Sequence, residues 1–286
     1  MLLRTGRHLR ARSSSSPSRR ASPSRSGKKP PCSRSASVRC LTRAQIKRTA
    51  VETTGQSKNL LWRKLRQNLL TASNFGKAYR ALFSGNKEIL VKFLQNCIAQ
   101  QQQPASQFDS LADRVPAIKW GLDQEKRAIR KYEKVRHVKV KPTGLWLSAD
   151  GCLGASPDGL VKGRKGIVEV KCPYSCRFLD TWAEAIESVL VPRYLDLLGE
   201  NGEEIALKKN HDYYFQVQGQ LYTTSAKWCD FVVWAPGFIK ITRIYPDKEW
   251  ARGVPPALSS FAKRCLLKRT GSSHRLGMLA RDSNFV

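Results

Sequence analysis

Acidic residues are missing from the first 51 positions of this 286-residue chain, which nonetheless hold fourteen of its 51 Lys and Arg. Apolar residues are scarce there as well, since positions 1–40 are Ser, Arg and Pro with little else. Such a stretch cannot recover the entropy lost on folding, so residues 1–54 are expected to form a disordered basic segment. Three uses stay open for it: a solvated tail, an arm for nucleic acid or nuclear targeting, and a mitochondrial transit peptide. Cysteine is sparse and irregular, with eight residues at 32, 40, 97, 152, 172, 176, 229 and 265. That spacing is no disulfide framework and implies free thiols in a reducing, intracellular setting, with nucleus and mitochondrion left unseparated. Cys172 and Cys176 make the only tight pair, and no second pair or nearby His completes a four-ligand zinc or iron–sulfur site. No run approaches the ~18 apolar residues of a membrane helix, so a membrane is not an expected partner.

What is present is positive charge. The formal net charge is +29, and the chain beyond the basic segment still carries a clear excess. From charge alone, nucleic acid or an anionic membrane surface is therefore a better partner than an acidic small molecule. Helical spacing recurs at Leu61, Leu65 and Leu69, followed by expected helices over 74–83, 87–99 and 119–134, with Thr71 and Ser73 as caps between the first two. A polar linker, "QQQQPASQFDS", separates the helix ending near 99 from the one starting near 119. Strands are expected at 135–140, 145–149 and 166–171, then helices at 181–190 and 211–224 around a Gly- and Glu-rich loop at 199–204. Two late strands, "CDFVVWAP" and "FIKITRIYP", complete an α/β (α+β) pattern: a central mixed β-sheet flanked by helices over residues 55–270, with a polar tail at 271–286.

The most informative stretch is "ASPDGLVKGRKGIVEVKCPYS", residues 155–175. Side chains alternate along a strand, so Val168 and Val170 face one way while Glu169 and Lys171 face the other, toward a cleft or the surface. Asp158 sits on an SPDG turn eleven residues earlier, and the connection through "LVKGRKG" can bring its carboxylate beside Glu169. Two converging carboxylates repel unless a cation lies between them, and a hard ion such as Mg²⁺ takes oxygen ligands of this kind. Lys171 is suited to orienting a hydroxide and offsetting charge on a phosphoryl transition state. The plain alternative is an Asp stabilising its own turn and a Glu–Lys pair on an exposed strand face.

"SADGCLGASPDGLV" and "GIVEVKCPYS" resemble the signature of the YqaJ-type viral recombinase family, allied to the phage lambda exonuclease within the PD-(D/E)XK nuclease superfamily. "TASNFG" at 71–76, "WGLDQE" at 120–125 and "YYFQVQGQLYTT" at 213–224 resemble further family motifs in the same order. The resemblance implies a restriction-endonuclease-like core and an active site of Asp158, Glu169 and Lys171. It adds Glu125 as a third acidic metal ligand and Gln216, with Gln220 behind it, as the glutamine bordering the centre. It further implies that Arg66 and Ser73 hold a terminal 5′-phosphate, although Arg63 and Lys64 offer similar chemistry and Ser73 also reads as a cap. Mg²⁺ is the implied cofactor, with Mn²⁺ as an alternative.

The expected function is a metal-dependent exonuclease acting 5′-to-3′ on double-stranded DNA ends, with a role in recombination. The polarity, a homo-oligomer and a single-strand annealing partner follow from the resemblance alone. A structure- or site-specific endonuclease and an inactive DNA-binding derivative of a viral or mobile element are the alternatives.

Overall fold

The computed structural model describes residues 40–67, 69–102 and 115–264; positions 1–39, 68, 103–114 and 265–286, which include the tail at 271–286, lie outside the described residues. Among the described residues the helices are α1 (Arg43–Glu52), α2 (Leu60–Arg66), α3 (Phe75–Phe83), α4 (Lys87–Gln102), α5 (Pro116–Arg136), α6 (Trp182–Glu187), α7 (Asp212–Thr224) and α8 (Lys248–Ala262). The strands are β1 (Leu70–Thr71), β2 (Val140–Lys141), β3 (Trp146–Leu147), β4 (Leu153–Ala155), β5 (Gly159–Val161), β6 (Gly166–Lys171), β7 (Leu195–Leu198), β8 (Glu204–Leu207), β9 (Trp228–Ala235) and β10 (Phe238–Ile244).

A five-stranded mixed sheet runs β10–β9–β6–β5–β2. β6 and β9 pair in parallel, and the other neighbours are antiparallel. A parallel pair is covered on both faces, and the residues of β6 and β9 divide accordingly. Ile167, Phe231 and Val233 join one core with Phe75, Val217, Leu221 and Leu258, which seats α3, α7 and α8. Val168, Val170, Val232 and Trp234 join a second core with Ala128 and Tyr132, which seats α5. A central mixed sheet with flanking helices is what the element pattern predicted, and it matches the restriction-endonuclease-like core that the family resemblance implied. A smaller sheet, β1–β4–β3, and the hairpin β7–β8 complete the described fold.

Several elements differ from the sequence expectation. Helix α1 lies inside the segment 1–54 expected to be disordered, and it is ordered by long-range contacts. Leu41 and Ile46 join a core with Trp62, Leu145 and Leu147. Thr42 and Gln45 form a capping box, and Leu145 N–H donates to Thr53 Oγ1 at 2.7 Å. Two apolar residues and a buried alanine in a basic stretch make a faint pattern, visible only once their partners a hundred residues away are known. Residues 135–140 are mostly helix end: α5 runs to Arg136, His137 caps it in the left-handed region (φ 51°), and only Val140–Lys141 pair with β5. The loop at 199–204 is the turn of the β7–β8 hairpin. Helix α8 gave no sequence signal because Pro255 and Pro256 interrupt it, yet Trp250, Val254 and Leu258 are buried. Neither Thr71 nor Ser73 caps a helix through its side chain.

Helix α7 approaches α3 closely at Gly219, where a Cβ would lie 2.6 Å from the Phe75 ring and 3.1 Å from the Ala72 Cβ. Phe75 is fully buried and cannot yield. Gly219→Ala should therefore lower the unfolding free energy by about 1–3 kcal/mol, despite a helix-propensity gain of ~1 kcal/mol. A urea midpoint unchanged or raised relative to the parent would contradict this packing.

Candidate active site

Strand β6 carries Glu169 and Lys171 on the face turned to α7. Glu169 is 2% exposed, so the acid expected in a cleft or at the surface is in fact buried. Burial of a carboxylate is tolerated only with donors around it, and three are supplied. Lys171 Nζ and Gln216 Nε2 each donate to Glu169 Oε1 at 2.6 Å, and Gln220 Nε2 donates to Oε2 at 2.6 Å. The two glutamines sit four residues apart on α7 and so share a face, while Val217 and Leu221 point into the core. Gln218 faces elsewhere and is structural, bonding Tyr245 O and Asp247 N–H at the start of α8.

Asp158 arrives from the turn before β5. Its backbone N–H donates to Val168 O at 3.1 Å, and its Oδ2 accepts Val170 N–H at 2.7 Å. These bonds fix the carboxylate alongside β6, as the turn connection predicted. Burial, then repulsion from Glu169 and Glu125, raises the Asp158 carboxyl well above its ordinary value. Burial and Glu169 raise Glu125 in the same way. Burial alone would lower the Lys171 ammonium, but Glu169 and Asp158 together carry it above the ordinary lysine value. Lys171 is therefore a fixed positive charge at neutral and alkaline pH. Its Nζ also lies 4.4 Å from the centroid of the Tyr213 ring, a neighbour the sequence reading missed. The signal was available: Tyr213 precedes Gln216 by three residues on the same helix.

The residues expected at a substrate phosphate stand beside this centre rather than in it. Arg66 lies over the Trp62 ring at 4.1 Å and has no carboxylate partner among the described residues. Burial lowers its guanidinium to about 10. Trp62 Nε1 donates to Ser156 Oγ at 2.8 Å, and Gln56 Nε2 donates to Pro157 O at 2.8 Å, so the segment carrying Arg66 is tied to the turn that carries Asp158. Ser73 is exposed, with its hydroxyl 3.3 Å from Thr71 Oγ1. The cysteines nearby are poor ligands: burial pushes the Cys152 and Cys172 thiols up to about 12, where they stay protonated.

Among the described residues no three His, Cys, Asp or Glu side chains close into a metal cage. In kind, the donors still fit a hard divalent cation. Asp158, Glu169 and Glu125 offer oxygen only, and the carboxyls of Asp158 and Glu125, raised by burial and by acid–acid repulsion, mark a charge that a cation would relieve. The buried Gln220 Oε1 has no hydrogen-bond partner among the described residues, although its Nε2 bonds Glu169. An incomplete set suits an ion that keeps waters and takes substrate oxygens.

The electrostatics carry a signed consequence. A raised carboxyl means the folded state binds a proton more tightly than the unfolded one, so stability is lost as pH rises from the ordinary Asp value through the raised one. Asp158→Asn keeps an oxygen for Val170 N–H and removes the charge. It should melt higher than the parent in EDTA at about pH 8, with the gap closing toward about pH 4. A parent that melts as high as the variant at the upper pH would show that the repulsion is absent.

With this geometry in hand, comparison with known proteins is informative. A model of the YqaJ-like viral recombinase domain matches residues 61–227. The alkaline nucleases of Orgyia pseudotsugata multicapsid polyhedrosis virus and Autographa californica nuclear polyhedrosis virus are each 30% identical over 210 residues, 68% of this chain and 44% and 45% of theirs. The chain thus spans under half the length of these relatives. LHK-Exo, an alkaline exonuclease from Laribacter hongkongensis, shares the fold in its complex with dAMP: TM-score 0.52 at 22% identity, covering 76% of this chain and 98% of that one. The matched segment contains Asp158, Glu169, Lys171, Glu125 and Gln216, and the chain belongs to the YqaJ-like viral recombinase family, of PD-(D/E)XK type.

Proposed function

We propose that this protein is a metal-dependent nuclease that hydrolyses DNA from duplex ends in the 5′-to-3′ direction. The observation that carries the reading is the buried Glu169–Lys171 pair beside Asp158, an arrangement that folding alone does not require. Two alkaline nucleases among its relatives support the same class of activity. Asp158, Glu169 and Glu125 would hold a divalent cation, Mg²⁺ or Mn²⁺, which when bound supplies a lowered water pKa and withdraws charge from the phosphoryl group. Lys171, kept protonated by its two acids, donates hydrogen bonds toward the reacting phosphate and offsets its growing negative charge; it does not act as a base. Gln216 and Gln220 fix the carboxylate plane of Glu169 from behind. Arg66 and Ser73 are the groups for a terminal 5′-phosphate, because a guanidinium without a carboxylate partner among the described residues and an exposed hydroxyl bonded only to Thr71 Oγ1 can both serve it.

Two experiments test this. Linear duplex labelled at either end, with 5′-phosphate or 5′-hydroxyl, should be degraded from phosphorylated ends with Mg²⁺ but not EDTA, and Lys171→Ala should lose at least ~10³-fold in rate. Cuts on closed circles would turn the reading to an endonuclease, and binding without cleavage under every divalent ion tried would end the enzymatic reading. Separately, Gln220→Leu leaves Glu169 Oε2 without its donor. Loss of a partner behind a metal-holding group should lower activity or raise the Mg²⁺ requirement by ~10–100-fold. Parental kinetics in a folded Gln220→Leu protein would remove Gln220 from the site.

A further inference from the structure

The opposite end of β6 has a different chemistry. The β5–β6 turn, the last turns of α5 and the approach to β2 enclose an open concavity of about 630 Å³, lined by Arg130, Lys134, His137, Lys139, Lys162 and Arg164. Its one carboxylate, Glu133, is engaged, with Oε1 accepting Val140 N–H at 2.8 Å. None of the five Lys and Arg makes an ion pair among the described residues. The negative end of the α5 dipole accounts for Lys134, but not for Lys139, Lys162 or Arg164, which come from other segments. Five cations against the single carboxylate of Glu133 leave a surplus of positive charge around one hollow, which an anion shared among them would relieve. The volume falls within the ~300–1,000 Å³ of ligand clefts.

We propose that this pocket is a second nucleic-acid site, binding the phosphodiester backbone without reading sequence and holding the polymer at a distance from the acidic centre. A string of phosphates fits better than one, because the cations are exposed, sit on long side chains and come from three separate segments. Gly166 and Lys171 bound β6, and at ~3.3 Å per residue the two ends are about 17 Å apart. At ~3.4 Å per nucleotide, a strand touching both would span at least about five nucleotides. The backbone-binding half of the proposal stands on the pocket alone; the link to the centre rests on the nuclease reading.

The test is fluorescence anisotropy of labelled single-stranded and duplex DNA, each of about 30 nucleotides, with the full-length protein in EDTA across a salt series. Lys162→Glu/Arg164→Glu lies on an exposed turn and should fold as the parent does, checked by melting. It should weaken binding at least ~10-fold and cut the slope of log affinity against log salt by about two. Lys87→Glu/Lys92→Glu on α4 makes the same change in net charge away from the pocket and should leave that slope nearly intact. Arg130→Gln/Lys134→Gln, which leaves the turn untouched, should weaken binding in the same direction. Pocket variants that bind like the parent, or that lose no more than the α4 variant, would overturn the proposal. Because EDTA stops cleavage, a protein that never cuts DNA but loses slope in the pocket variants upholds this site while refuting the nuclease. Cleavage with unchanged slope refutes the pocket alone.

Discussion

Burying the carboxylate of Glu169 is the constraint to which the rest of the site answers. An unaccompanied carboxylate in an apolar sheet would be neutralised or expelled, so each neighbour has to be a donor or a cation. Lys171 supplies charge from the same strand, and Gln216 and Gln220 supply N–H groups from α7. That requirement sets the register of α7 against β6, and Gly219 permits the close approach of α7 to α3 that the register demands. A rotation of α7 by one residue would aim Val217 and Leu221 at the acid and leave it with Lys171 alone.

The acids that accumulate around Glu169 are held against their mutual repulsion by backbone geometry. Asp158 is bonded to β6 through both its backbone N–H and its carboxylate, while burial and the neighbouring Glu169 and Glu125 push its carboxyl upward. Glu125 rides on α5, whose position is fixed farther along by Tyr132 donating to the buried Asp230 at 2.8 Å. Asp230 also holds Arg243 through two hydrogen bonds, so β9, β10 and α5 meet at one buried charge. A second ionic cluster thus anchors α5 to the other face of the sheet. The physical result is a cluster of buried acids and one lysine held together against repulsion.

Much of this was legible before any coordinates. The alternation in "GIVEVKC" fixed which residues of β6 face each core, and the SPDG turn indicated that Asp158 returns to Glu169. Spacing on α7 put Gln216 and Gln220 on one face. Other features were not legible, for identifiable reasons. Helix α1 depends on Leu145, Leu147 and Trp62, partners no local pattern can announce. Helix α8 is masked by two prolines whose missing N–H groups argue against a helix until Trp250, Val254 and Leu258 are seen packing. The depth of Glu169 was misjudged because alternation assigns a face and says nothing of what covers it.

By itself the sequence determined the identity and order of the chemical groups: an acid on a turn, an acid and a lysine on one strand face, two glutamines on one helix face, and a family-specific set of motifs around them. These are local properties, set by the twofold period of a strand and the 3.6-residue period of a helix. Only the tertiary structure decided that the helix face covers the strand face and that the third acid joins them. It also decided that five cations, without ion-pair partners among the described residues, gather at the far end of β6. Those outcomes depend on contacts between segments tens of residues apart, where the energy lies in burial and charge proximity and leaves no periodic trace in the chain.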